Sequence, residues 1–238
     1  MRISQLYAAE GPVFSFEFFP PKTEAGYRTL YRTIEDLKRL DPAFVSVTSH
    51  ARGENRSKTA ELVIRIQNEL GITAMAHMTC TGQTREELAA TLRQLAEAGI
   101  ENVMALRGDP PKDQPAWRPV PGGFRYGSEL AAFVKAQGPF CVGGGCYPEV
   151  HPDAASPEAD LEALQRKIEA GAEFLITQLF LNNEHYFRFL ERARAAGIEV
   201  PIVPGIMPIV SLANLRGAMR NAPTSETPRE LEQALAAA

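Results

Sequence analysis

Apolar and polar positions in this chain follow two alternating patterns. Apolar runs of four to seven residues recur at 13–19, 44–48, 73–79, 102–106, 140–144, 174–179 and 202–205. Most do not alternate with polar residues, as expected of strands covered on both faces. Between them lie amphipathic stretches with helical spacing, at 24–40, 57–70, 85–99, 126–136, 157–171 and 183–196, and another begins near 211. Thr84 with Glu87 three residues on reads as a capping box. Ser156-Pro157-Glu158 supplies a cap and then proline at the first helical position. Gly99, Gly171 and Gly197 close helices, and a new strand starts within a few residues of each. Pro20-Pro21 ends the first strand, because proline has no N–H for a ladder.

A strand–helix unit repeated seven times predicts parallel strands with right-handed crossovers, hence an α/β chain of the (β/α) TIM-type barrel class. A doubly wound open sheet is the competing architecture. It calls for a Gly-rich turn after the first strand, where this chain has Phe18-Phe19-Pro20-Pro21. A barrel needs an eighth unit, and none is visible in the sequence. Residues 220–228 read as a linker and 229–238 as an exposed, Ala-rich helix. The expectation is one barrel domain over 1–238, with 222–238 as linker and terminal helix. A missing strand would leave the first and seventh strands with open edges, so a homo-oligomer is expected.

Composition narrows the function classes. The length, 238 residues with 45% hydrophobic, suits one such domain with a large core. A net charge of −4 without a Lys/Arg cluster argues against nucleic-acid binding, though not against a small basic pocket for phosphates. Cys80, Cys141 and Cys146 are too few for a disulfide framework, and their spacing is not a zinc pattern, so no metal site is expected. They read as buried thiols in a reducing, cytoplasmic compartment. The N-terminus has no apolar signal core, and no run is long enough to span a bilayer.

In a parallel barrel, chemistry sits at the C-terminal ends of the strands. Polar residues gather there. Glu17 stands within Phe14-Ser15-Phe16-Glu17-Phe18-Phe19; burial among rings would favour its protonated form, which suits a general acid. The alternative is a carboxylate paired with Arg or Lys. His77 ends the third strand, as a catalytic or a core histidine. Arg107-Gly108-Asp109 follows the fourth strand, as an electrostatic device or an Asp-stabilised turn. Tyr147-Pro148-Glu149-Val150-His151-Pro152 is a proline-stiffened loop presenting Tyr147 and His151. Asp160, Arg166 and Lys167 fall on the next helix, where a solvated face is the plain reading. Gln178 ends the sixth strand, where its amide could read the edge of a heterocycle. Gly143-Gly144-Gly145 lies within a strand and lacks the Lys-Ser/Thr of a phosphate loop. Glycine there would let a flat group approach the backbone.

This constellation resembles the bacterial-type methylenetetrahydrofolate reductase family of flavoproteins. The matching segments are Phe16-Glu17-Phe18-Phe19-Pro20-Pro21, Val45-Ser46-Val47-Thr48, Ala76-His77-Met78-Thr79-Cys80, Ala105-Leu106-Arg107-Gly108-Asp109, Tyr147-Pro148-Glu149-Val150-His151-Pro152, Ile176-Thr177-Gln178 and Pro204-Gly205-Ile206-Met207-Pro208. They span residues 10–216. The resemblance implies a (β/α) barrel that reduces 5,10-methylenetetrahydrofolate to 5-methyltetrahydrofolate, with FAD as cofactor and NADH or NADPH as co-substrate. It implies that Glu17 is the general acid and that Asp109 is the carboxylate near flavin and pterin. Gln178 would read the pterin, and Asn214 would be a polar substrate contact. Thr48, Ala51, His77, Arg107, Gly108, Asp109, Tyr147, His151, Asp160, Arg166 and Lys167 would line the FAD, the last three as a diphosphate site. The chain departs from the family in three places, one being that the last family segment, ending in the eighth strand, is not seen. Ser49-His50-Ala51 replaces the usual Tyr-Gly-Ala, and Ala218 stands where a stacking aromatic is usual. A non-catalytic flavin- or folate-binding barrel, or a pterin-binding barrel without flavin, remains an alternative.

Overall fold

A computed structural model describes residues 1–8, 11–49, 56–109, 118–222 and 225–237. Seven strands follow one another in chain order in the sheet, β1 (Ser15–Phe18), β2 (Phe44–Val47), β3 (Ala74–Thr79), β4 (Asn102–Leu106), β5 (Cys141–Cys146), β6 (Ala172–Thr177) and β7 (Ile202–Val203). Every strand pairing given for the described residues is parallel. The helices are α1 (Ile3–Leu6), α2 (Glu24–Lys38), α3 (Arg56–Leu70), α4 (Arg85–Glu97), α5 (Gly127–Gln137), α6 (Pro157–Glu169), α7 (Asn183–Ala195), α8 (Leu212–Asn221) and α9 (Arg229–Ala237). This is the strand–helix alternation of the TIM-barrel class. Among the described residues, seven strands are present and none follows β7. The chain divides into two compact units, residues 1–144 with 170–173, and residues 145–169 with 174–238.

In the first unit a two-residue period sorts the strand side chains. Phe16, Phe18, Val45, Val47, Ala74, Ala76, Met78, Val103 and Ala105 belong to one apolar cluster, with Leu62, Val63 and Ile66 of α3 and Leu88, Leu92 and Leu95 of α4. The intervening residues Glu17, Ser46, Met75, His77 and Met104 turn to the opposite face, and the register sets Glu17 beside Ser46, Ser46 beside Met75 and His77 beside Met104. The polar groups therefore share the face away from the helices. The Thr84–Glu87 capping box forms as expected, with Thr84 Oγ1 accepting from Glu87 N at 3.3 Å and Glu87 returning to Thr84 N at 2.8 Å.

One element was not expected. The short helix α1 docks at the N-terminal ends of the strands through Asn102, the first residue of β4. Its buried side chain accepts from Ile3 N at 2.8 Å and donates to the Met1 carbonyl at 2.9 Å. Glu173 holds the same segment, accepting from Arg2 at 2.6 Å, Ser4 Oγ at 2.6 Å and Lys135 at 3.0 Å. Burial opposes ionisation of Glu173, but the hydrogen bonds and cationic neighbours outweigh it and hold the carboxyl below the usual range.

In the second unit, Leu164, Leu175, Phe189, Ala193, Ile198 and Ile202 form a smaller core. Gly205 meets Thr177 closely: its N–H donates to Thr177 Oγ1 at 2.9 Å, and a Cβ would lie 2.4 Å from the Thr177 carbonyl oxygen. No helix among the described residues is long and apolar enough to cross a membrane.

Candidate active site

The first unit contributes a row of polar side chains at the C-terminal ends of β1 to β4. Glu17 is not enclosed by phenylalanines, contrary to the expectation. Phe16 and Phe18 turn to the helix side, and the Glu17 side chain is 44% exposed. Its carboxylate Oε2 lies 3.6 Å from His77 Nε2, too long for a hydrogen bond. Burial pushes the His77 imidazole below its usual range, against the pull of Glu17, so the ring is neutral at pH 7. The contact is therefore not an ion pair. It leaves the carboxyl of Glu17 facing a buried, uncharged imidazole.

Three buried polar atoms on this face lack a hydrogen-bond partner among the described residues: Thr48 Oγ1, His77 Nε2 and Thr79 Oγ1. Native interiors rarely leave such groups unpaired. Two hydroxyls and a ring nitrogen at neighbouring strand ends fit the polar edge of a flat heterocycle. The backbone beneath them is fixed. Thr48 N donates to the Phe18 carbonyl at 2.9 Å, and Thr59 Oγ1 to the Thr48 carbonyl at 3.1 Å. Gly108 follows with φ +80°, and a Cβ there would lie 2.8 Å from Thr81 Oγ1. Both facts require glycine. Arg107 Nε donates to the Gly108 carbonyl at 3.3 Å, and Asp109 is exposed. Ala51 and His50 lie outside the described residues. Cys80, whose thiol burial pushes up to about 12, is inert.

The second unit carries the remaining candidates. Tyr147 and His151 meet edge to face with centroids 4.6 Å apart. His151 Nδ1 accepts from Asp153 N at 3.0 Å, which puts the proton of the neutral ring on Nε2. Asp160 Oδ2 accepts from His151 N at 3.0 Å, so Asp160 positions this loop. Lys167 Nζ donates to the Gly145 carbonyl, and burial lowers its ammonium below the usual range despite Cys146 and Asp160 nearby. Arg166 is exposed and lies 3.8 Å from Glu162, one helical turn back. Asp160 thus engages the His151 loop, Lys167 the end of β5, and Arg166 faces solvent. Gln178 lies just beyond β6, its N–H donating to the Cys146 carbonyl at 2.7 Å and its Oε1 accepting from Leu179 N at 2.7 Å. Asn214 Oδ1 accepts from Val210 N at 3.2 Å in the first turn of α8. Ala218 is buried in that helix. Thr79, a candidate on the strength of its unpartnered hydroxyl, was missed by sequence reasoning. Its place two residues after His77, hence on the same face, was the signal that could have found it.

Known proteins place this geometry in a family. The methylenetetrahydrofolate reductase family model matches residues 2–238. The chain is 42% identical over 204 residues to 5,10-methylenetetrahydrofolate reductase of Pectobacterium carotovorum subsp. carotovorum, covering 85% of this chain and 66% of that protein. It is 39% identical over 235 residues to methylenetetrahydrofolate reductase (NADH) 1 of Arabidopsis thaliana, covering 93% of this chain and 39% of that protein. The chain thus spans about two thirds of the bacterial relative and about two fifths of the plant one. Among solved structures, an uncharacterized protein from Clostridium thermocellum, described as binding two copies of 5-methyl-5,6,7,8-tetrahydrofolic acid, superposes with a TM-score of 0.70. That likeness covers 97% of this chain and 77% of the other at 20% identity, and it shows a shared fold. With a family model matched along almost all of its length and relatives near 40% identity, this chain belongs to the methylenetetrahydrofolate reductase family.

Proposed function

We propose that this chain reduces 5,10-methylenetetrahydrofolate to 5-methyltetrahydrofolate, with FAD as cofactor and NADH or NADPH as reductant. The observation that carries this reading is the trio of unpartnered buried atoms, Thr48 Oγ1, His77 Nε2 and Thr79 Oγ1, beside the open carboxyl of Glu17. When bound, the flavin supplies hydride transfer between the nicotinamide and the one-carbon unit. The name of the Arabidopsis relative specifies NADH, which favours that reductant.

The residues divide the work. Thr48, His77 and Thr79 hold the polar edge of the cofactor ring. Gly108 keeps the loop beneath it clear of any side chain. Arg107, Tyr147, His151 and Lys167 hold the remainder of the cofactor, Asp160 orients the His151 loop, and Arg166 adds positive charge from the exposed side of α6. Gln178 reads the pterin, and Asn214 contacts the substrate. Glu17 donates the proton that opens the methylene bridge. Asp109 stabilises the cation that results.

A second reading, a folate- or flavin-binding barrel without turnover, is favoured by Ala218, which offers no ring where the family has a stacking aromatic. Steady-state oxidation of NADH by the FAD-reconstituted chain separates the two. The proposal expects oxidation that depends on methylenetetrahydrofolate. Flavin binding with no folate-dependent turnover supports the second reading.

A further inference from the structure

The loop after β5 and the start of α7 line an open hollow of about 650 Å³ in the second unit. Three ligand atoms converge there, one each from Glu149, His185 and Glu226, all within 4.8 Å of one another. His185 Nε2 lies 2.6 Å from Glu226 Oε2 and 3.6 Å from Glu149 Oε1. The Glu149 side chain is only 8% exposed. Its Oε1 accepts from Glu226 N at 2.7 Å, but its Oε2 is buried without a hydrogen-bond partner among the described residues. A buried carboxylate oxygen without a donor is costly, and a positive charge is what it lacks. Arg192 borders the same hollow, but its Nη2 donates to the Pro148 carbonyl at 3.4 Å and its Nε has no partner.

We propose that Glu149, His185 and Glu226 form a binding site for a divalent transition-metal ion of the zinc class. One imidazole nitrogen with two carboxylates is a donor set of that class, whereas magnesium and calcium favour oxygen alone. Ligand atoms around a tetrahedral zinc ion sit roughly 3.3 Å apart, given bonds of about 2.0–2.1 Å. The two separations from His185 Nε2, 2.6 and 3.6 Å, bracket that value, and the carboxylate pair, within 4.8 Å, would draw in around the ion. The ion takes the place of the proton that Nε2 shares with Glu226. The earlier expectation of no metal site rested on cysteine spacing alone and did not weigh these residues, which are far apart in sequence.

The consequence is a cross-link between three segments: the loop bearing Tyr147 and His151, the first turn of α7, and the stretch entering α9. This inference does not depend on the proposed reductase activity. It is tested on the full chain, stripped of metal and dialysed against micromolar zinc chloride near pH 7.5. Zinc per chain is measured by mass spectrometry and thermal melting is recorded with and without the metal. The site predicts one zinc per chain and a zinc-dependent rise in Tm, with affinity falling at least tenfold in His185→Gln. Glu226→Gln, altering an exposed residue, should weaken binding too and serves if the histidine variant does not fold. Failure to retain zinc, or equal retention by both variants, would overturn the proposal. A Tm rise produced equally by magnesium would overturn the assignment to the zinc class.

Discussion

The carboxylate of Glu17 stands 3.6 Å from Nε2 of His77, and no hydrogen bond joins them. Glu17 is on β1 and His77 on β3; across β2 the register carries Glu17 to Ser46 and Ser46 to Met75, two residues before His77. The two groups meet because period-two alternation sends both to the face that the helices do not cover. Buried and neutral, His77 does not tie the carboxyl into an ion pair. The proposed role for Glu17 is proton donation.

Replacing Glu17 by Gln keeps the shape and removes the proton. The account expects folate reduction to fall by at least about a hundredfold, the scale of general acid catalysis. Flavin reduction by NADH should change less than about threefold. Rapid-mixing measurement of each half-reaction distinguishes this from a structural role, in which both would fall together.

Gly108 is needed for two reasons, its positive φ and the 2.8 Å approach of any Cβ to Thr81 Oγ1. Gly108→Ala should weaken FAD binding by tenfold or more and lower stability by about 1–3 kcal/mol. Fluorescence titration with FAD and a urea melt measure the two effects. Unchanged values for both would remove this loop from the proposed flavin site.

The N-terminal clamp predicts a dependence on acid. Glu173 is held below its usual range, so folding favours its ionised form. That contribution is complete above the ordinary carboxylate value of about 4.3 and is lost as pH falls through the lower folded value. Urea melts between pH 6 and pH 3 should show the wild type losing more stability than Glu173→Gln. Parallel curves for the two proteins would show that the clamp is not linked to protonation.

Edge exposure predicts self-association. Among the described residues β1 pairs only with β2, at the end of the strand order, and Phe14 and Phe19 beside it are 67% and 62% exposed. A homo-oligomer is proposed on that basis. Size-exclusion chromatography with light scattering should find more than one chain per particle in the wild type and a shift toward monomer in Phe19→Ser. A monomeric wild type at high concentration would contradict it.

Much of the fold was legible because local signals agreed with one another. The Thr84 cap, the Ser156-Pro157 start and the glycines at 99, 171 and 197 punctuated the helices correctly, and β4 fell at 102–106 as expected. Elsewhere tertiary contacts decided. The sixth strand begins at Ala172 rather than 174, because pairing rather than hydrophobicity sets its ends. Helix α1 escaped notice because four residues carry no period; it exists through Asn102 and Glu173, each about a hundred residues or more away. The candidate site residues were legible as strand-end polar groups. The environment of Glu17 was not, since an aromatic-rich string does not say which face each ring takes. Phe16 and Phe18, partly buried on the helix side of the strand, left the carboxyl open.

The central claim is that electrons pass through a flavin held by this chain to a one-carbon folate. The most direct test reconstitutes the full chain with FAD, reduces it with one equivalent of NADH without oxygen, and mixes it with 5,10-methylenetetrahydrofolate while following flavin absorbance. The account predicts bleaching on reduction and return of the oxidised spectrum on mixing, with 5-methyltetrahydrofolate formed in equal amount. A flavin that binds and bleaches but stays reduced in the presence of the folate would contradict it.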